Sequence, residues 1–92
     1  MRKTVLYEDS DNMPAFVLIA RNNIPLSNGQ MVERGRQIEV FVNSPTAQAS
    51  NIFVTPYGKE AVGRAFAIQG IPATANFMTM AKWDVKPFSP KL

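Results

Sequence analysis

The sequence predicts a single α+β domain over residues 1–92, in which one main helix covers a small curled antiparallel sheet or partly open barrel of four to six strands. Apolar residues at every second position from Ile38 to Val42 give the period of a strand with one buried face. The turn dipeptides Asn28–Gly29 and Arg34–Gly35 lie only six residues apart. Strands joined by such closely spaced bends are short, and the sheet that contains them is strongly bent.

The strands are predicted from short apolar runs that end at turn residues. The predicted strands are Thr4–Tyr7, Ala15–Ala20, Met31–Val32, Gln37–Asn43, Ile52–Val54 and Ala81–Lys86. Ala15–Ala20 is the predicted central strand because it is continuously apolar, and Ile24–Leu26 is extended because it contains a proline. Pro87 limits the last strand to an edge or an end of the sheet. Loosely spaced apolar residues at 73–80 are compatible with a short second helix and do not determine the conformation of this segment.

The main helix is predicted at residues 57–69, and both of its ends carry sequence signals. Thr55 is a suitable N-cap and Pro56 suits the first helical position. Gly70 supplies the left-handed conformation that commonly ends a helix. The predicted apolar face consists of Ala61, Val62, Ala65, Phe66 and Ile68. Gly63, inside the helix, predicts close approach of a neighbouring strand or of a second subunit.

The predicted core collects apolar residues from one face of each strand and from the helix. Its members are Val5, Phe16, Leu18, Ile38, Val40, Val42, Val62, Ala65, Phe66 and Val85. Residues 43–51 lack any regular apolar period, so they are predicted to form a surface loop or the tip of a long hairpin. A core of this size is sufficient for one domain without disulfides or metal.

The composition excludes several kinds of chemistry. The chain has no Cys and no His, which excludes disulfides, thiolate nucleophiles, imidazole bases and nearly all transition-metal sites. Ten basic and seven acidic residues give a net charge of +3, and the basic residues are scattered along the chain. The longest apolar run, Ala15–Ala20, is far too short to span a membrane. We therefore expect a soluble, cytoplasmic protein without cofactors.

A nucleic-acid site is the alternative function that the sequence offers. Arg34 and Arg36 flank a glycine, which would let a phosphate group approach two guanidinium groups closely. Phe41 lies on the strand face opposite Ile38 and Val42, where it either packs in a second layer or is exposed for base stacking. Arg34, Arg36 and Phe41 are therefore the candidate nucleic-acid-binding residues.

No catalytic residue and no metal ligand are predicted. Glu33 and Glu39 lie beside arginines, an arrangement that favours ion pairing over acid–base catalysis. Asp9 and Asp11 resemble the start of a calcium loop, but the glycine and glutamate that complete such a loop are missing. An enzyme that uses a lysine, a tyrosine or a carboxylate is the third class of function, and no motif indicates it.

Two glycine-bounded blocks, residues 29–40 and 58–71, are separated by a polar loop and followed by the final strand. This arrangement resembles a family of small, functionally uncharacterised bacterial proteins, and the resemblance covers residues 15–88. It implies a bacterial α+β domain. It supplies no activity, cofactor or binding residue.

The sequence therefore favours a non-catalytic binding or assembly module that acts through protein–protein contacts. The partner is either another protein or a second copy of the chain in a homodimer. Self-association is expected because Ile52–Val54, as an edge strand, would leave amides uncovered, and because Gly63 permits close approach. Residues that keep strand edges monomeric argue against it: Pro56, Lys82, Lys86 and Pro87.

Overall fold

The computed structural model of the chain describes residues 14–88. The predicted strand Thr4–Tyr7, with the core residue Val5, lies outside the described residues. Within them the chain is α+β, as predicted, with five strands and one helix. In chain order these are β1 (Ala15–Ala20), β2 (Ile24–Pro25), β3 (Met31–Val32), β4 (Gln37–Phe41), α1 (Pro56–Gln69) and β5 (Trp83–Phe88).

Three of the strands form an antiparallel sheet in the order β4–β1–β5. The prediction that Ala15–Ala20 is the central strand is confirmed. Leu18 of β1 lies opposite Ile38 on one side and Val85 on the other, so these side chains form one row on the buried face. The sheet is open, and no closed barrel forms among residues 14–88. Of the two predicted alternatives, a curled sheet and a partly open barrel, the structure therefore shows the curled sheet.

A glycine bulge bends the start of β4. Gly35, with φ of 90°, donates its backbone N–H to the carbonyl of Ala20, and the N–H of Ala20 is donated to the carbonyl of Arg36. Gly35 and Arg36, immediately before β4, thus both face Ala20 of β1, which is the arrangement of a bulge with glycine in the left-handed conformation. The predicted bend at Arg34–Gly35 is confirmed, and it sets the direction in which β4 continues along β1.

The strands β2 and β3 form a small separate hairpin. The predicted turn at Asn28–Gly29 is present, but only Gly29 has a positive φ, of 86°. The backbone N–H of Leu26 donates a hydrogen bond to the carbonyl of Gln30, and the N–H of Gly29 donates one to the carbonyl of Leu26. The loop therefore has three residues and ends in a left-handed glycine, instead of the two-residue turn in which both central residues have positive φ.

Helix α1 begins and ends where the sequence predicts. The Thr55 side chain accepts a hydrogen bond from the N–H of Gly58, and Pro56 occupies the first turn. Gly70, with φ of 74°, ends the helix, and the N–H of Ile71 is donated to the carbonyl of Phe66. Val62 and Phe66 are completely buried against the sheet. The helix therefore covers the face of the sheet that carries Leu18.

Ile52–Val54 is not a strand, and this prediction was wrong. These residues form turns that lead into the N-cap of α1, with the N–H of Val54 donated to the carbonyl of Asn51. Ile52 and Phe53 are buried, which explains their apolar character without any sheet pairing. The expected self-association through an edge at Ile52–Val54 therefore loses its structural basis.

Residues 73–80 do not form the second helix with which their sequence is compatible. This segment makes turns, in which the N–H groups of Phe77 and Met78 are both donated to the carbonyl of Thr74. The last strand begins at Trp83 instead of Ala81 and extends to Phe88. Among residues 14–88, β5 lies at an edge of the sheet, as predicted from Pro87.

Every predicted core residue within residues 14–88 is buried except Ala65, which packs against the core while partly exposed. The sequence prediction missed the largest buried side chain, Trp83. Its indole N–H donates a 2.7 Å hydrogen bond to the carbonyl of Phe77. That bond connects the turns before β5 to the core and satisfies the polar atom of a buried indole.

Candidate functional site

An open groove runs between β4 and α1, and we call it the β4–α1 groove. Its volume is about 610 Å³, within the range of ligand-binding clefts. It is lined by Gln37, Ile38, Glu39, Phe41, Ala61, Arg64, Ala65, Ile68 and Gln69. One wall is therefore the edge of a strand and the other is the side of a helix.

The hydrogen bonds between β1 and β4 determine what the strand wall offers. The N–H of Ala20 donates to the carbonyl of Arg36, and the N–H of Val42 donates to the carbonyl of Pro14. Because hydrogen-bonded pairs alternate along an antiparallel ladder, the even-numbered residues of β4 are the ones whose backbone groups bond to β1. The N–H and C=O groups of Gln37 and Glu39 therefore point away from β1. In the part of the chain that the structure describes, β4 is an outer strand. The groove thus contains the backbone donors and acceptors that another strand could pair with.

The helix wall is mostly apolar, with Arg64 and Gln69 as its polar members. Ala61 and Ala65 lie at its base, and Ile68 stands above them with 82% of its surface exposed. Ile68 was predicted to belong to the buried face of α1, and this prediction was wrong. The helix advances 100° per residue, so Ile68 lies about 120° around α1 from Val62 and about 160° from Phe66. It is therefore turned away from the core and lines the outer part of the groove.

Charged and amide side chains surround the groove. Arg64 lies 3.3 Å from Glu60, one helical turn earlier, so its charge already has a partner. At the end near the bulge, the guanidinium of Arg36 donates a hydrogen bond to the side-chain oxygen of Gln69. This bond joins the start of β4 to the last residue of α1. Glu39 is exposed on the opposite wall and has no ion pair among residues 14–88.

Of the three candidate nucleic-acid-binding residues, the structure brings Arg34 and Arg36 together at one depression and separates both from Phe41. Arg34 lies in a depression of about 410 Å³ beside β3, where its N–H is donated to the Asn23 side chain. Arg36 reaches from that depression towards α1. Phe41 is half-buried at the far end of β4, with its ring edge-on to Phe88 at 6.5 Å between centroids. Arg36 and Phe41 are five residues apart on an extended strand, about 17 Å.

Among residues 14–88, no strand approaches Gly63 closely, so this half of the expectation was wrong. A Cβ at Gly63 would lie 3.8 Å from Ala73 and from Met78, which is ordinary contact. The close approach occurs at Gly58, where a Cβ would lie 2.6 Å from the carbonyl carbon of Ile52. The turns at residues 51–54 therefore pack directly on the first turn of α1.

Residues 14–88 contain no group of three or more acidic side chains placed to hold a metal ion. Their single helix, α1, is neither long nor apolar enough to cross a lipid bilayer. No protein-family model, no curated protein and no solved structure matches the chain. The resemblance to a bacterial family therefore stays a prediction.

The sequence analysis did not identify the β4–α1 groove. The alternation along β4 does place Gln37 and Glu39 on the face opposite Ile38, but a strand's position at an edge depends on pairings that are distant in sequence. The exposure of Ile68 could have been found by measuring its angle from Val62 and Phe66 around the helix.

Proposed function

We propose that this protein is a non-catalytic binding module and that it holds an extended segment of a partner protein in the β4–α1 groove. The observation that carries the proposal is the combination of two walls. The strand wall presents the outward backbone groups of Gln37 and Glu39, while the helix wall presents the exposed side chain of Ile68. Domains that bind peptides by strand addition use these two elements, because main-chain bonds provide affinity and apolar contacts provide specificity.

A protein segment fits the groove better than a small polar ligand does. The side chains of Ala61, Ala65 and Ile68 offer apolar contact and no hydrogen bonds. The polar groups of the strand wall follow the strand repeat, which an extended main chain matches over successive residues. A mostly apolar wall facing a ladder of amide and carbonyl groups is complementary to a polypeptide in the strand conformation.

A phage-displayed library of random twelve-residue peptides tests the proposal, with selection on the full-length protein. Selected peptides are then measured against Ile68→Glu, which places a charge on the helix wall. The matched control is Val54→Glu, because Val54 is also an exposed apolar residue, at 70%, but does not line the groove. We expect Ile68→Glu to weaken binding at least about tenfold, because a charge must then be desolvated, and Val54→Glu to leave it unchanged.

The proposal fails if no selected peptide distinguishes Ile68→Glu from Val54→Glu. Equal loss in both variants would place binding elsewhere or indicate general unfolding. Thermal melts of both variants identify unfolding directly, and since both side chains are exposed, neither substitution should lower the melting temperature appreciably.

A further inference from the structure

We propose that the segment bound in the β4–α1 groove carries a basic residue between two apolar residues and pairs antiparallel to β4, with the basic side chain opposite Glu39. This inference rests on the proposed function and adds the chemistry of the partner. It follows from the charge of Glu39, from the hydrogen-bonding direction of β4 and from the apolar wall of α1.

Glu39 determines the residue at the centre of the partner segment. In the antiparallel register the residue directly opposite Glu39 exchanges both main-chain hydrogen bonds with it and points to the same face of the sheet. On that face Glu39 lies in one row with Val17 and Lys86, but the Lys86 ammonium lies 3.5 Å from Asp84. Among residues 14–88 no cation therefore pairs with Glu39, and an opposite charge is favoured across a strand pair.

The residues on either side of that central position point to the other face, because side chains alternate along a strand. On this face they meet the groove wall formed by Ile38, Ala65 and Ile68. Apolar side chains there would cover the exposed surface of Ile68. The charge of Arg64 on the same wall is already paired with Glu60, so Arg64 does not select an acidic residue in the partner segment.

A second copy of the chain is a poor occupant of the groove. Two copies could pair their β4 strands antiparallel about a two-fold axis. If the strands pair over their full length, Glu39 of one copy lies directly opposite Glu39 of the other. Like charges that face each other across strands are destabilising. A charge in the middle of an edge strand is also a known means of preventing self-pairing. The same carboxylate that opposes a dimer selects a partner with a cation.

The test uses the full-length protein and synthetic peptides with blocked ends. The first peptide is Ser-Thr-Val-Lys-Val-Thr-Ser, and the second has Glu in place of Lys. Calorimetric titration should give binding of the lysine peptide about five- to tenfold tighter than that of the glutamate peptide. Glu39→Lys should reverse the order of the two peptides, and Ile68→Glu should weaken both.

Two methylated peptides test the strand pairing itself. N-methylation of the lysine amide removes the N–H that would be donated to the Glu39 carbonyl, and binding should be lost. N-methylation of the valine that follows removes an N–H directed away from β4, so this matched peptide should bind as the parent does. Equal effects of the two methyl groups would overturn the proposed pairing.

The failures of the two proposals are distinguishable. Peptides that bind and respond to Ile68→Glu, but show no preference between lysine and glutamate, overturn this inference and leave the proposed function standing. The same holds if the lysine peptide fails while a library peptide binds in the groove. A dimer seen in sedimentation and lost in Ile68→Glu would assign the groove to a second copy and overturn the inference.

Discussion

The rings of Phe66 and Trp83 pack together in the centre of the core, with 5.3 Å between their centroids and 39° between their planes. Phe66 lies in the last turn of α1 and Trp83 is the first residue of β5. Both side chains are completely buried. Their contact holds the helix on the sheet, and the position of the helix relative to the sheet sets the width of the β4–α1 groove.

Phe66→Ala should lower the free energy of unfolding by about 3–5 kcal/mol, because it removes a buried ring and leaves a cavity beside Trp83. Chemical denaturation followed by tryptophan fluorescence measures the change. The control is Ile68→Ala on the same helix, where an exposed side chain should change stability by less than about 0.5 kcal/mol. Equal effects at the two positions would contradict the orientation of α1.

Gly58→Ala and Gly63→Ala should differ sharply although both glycines lie in α1. At Gly58 a Cβ would overlap the backbone of Ile52, so the variant should be strongly destabilised or fail to fold. At Gly63 a Cβ makes ordinary contacts, and the gain in helix propensity should raise stability by up to about 1 kcal/mol. Thermal melts of both variants test the pair. A destabilised Gly63→Ala would show that something else packs against that site.

Nucleic-acid binding should be weak and should not depend on Phe41. Because Arg34 and Arg36 lie away from that ring, we expect only a general electrostatic attraction, which falls steeply between about 50 mM and about 200 mM salt. Fluorescence anisotropy with a single-stranded oligonucleotide measures it in the wild type, in Phe41→Leu and in the double variant Arg34→Ala, Arg36→Ala. Tight binding that Phe41→Leu abolishes would favour the nucleic-acid function instead.

The sequence predicts best the features that depend on neighbouring residues. The N-cap at Thr55, the left-handed Gly70 and the bend at Gly35 all occur as expected, because each is determined by local backbone conformation. Ile52 and Phe53 were assigned to a strand because burial and sheet pairing both require apolar residues. The structure buries them in turns against Gly58.

The candidate site depends on relationships that the sequence does not specify. The alternation along β4 predicts the face of Glu39, but the order β4–β1–β5 within residues 14–88, which places β4 at an edge, arises from pairings distant in sequence. The separation of Arg36 from Phe41 along one strand could be predicted from strand geometry. The hydrogen bond from Arg36 to Gln69, 33 residues later, could not.

Amide hydrogen exchange along β4 tests the central claim most directly. In the free protein the N–H groups of Ile38 and Val40 should exchange slowly, since they bond to β1, while those of Gln37 and Glu39 exchange fast. Addition of a groove-binding peptide from the library should slow exchange at Glu39 and leave Ile38 and Val40 unchanged. Slow exchange at Glu39 in the free protein, or no change on peptide binding, would contradict the claim that β4 binds an extended segment.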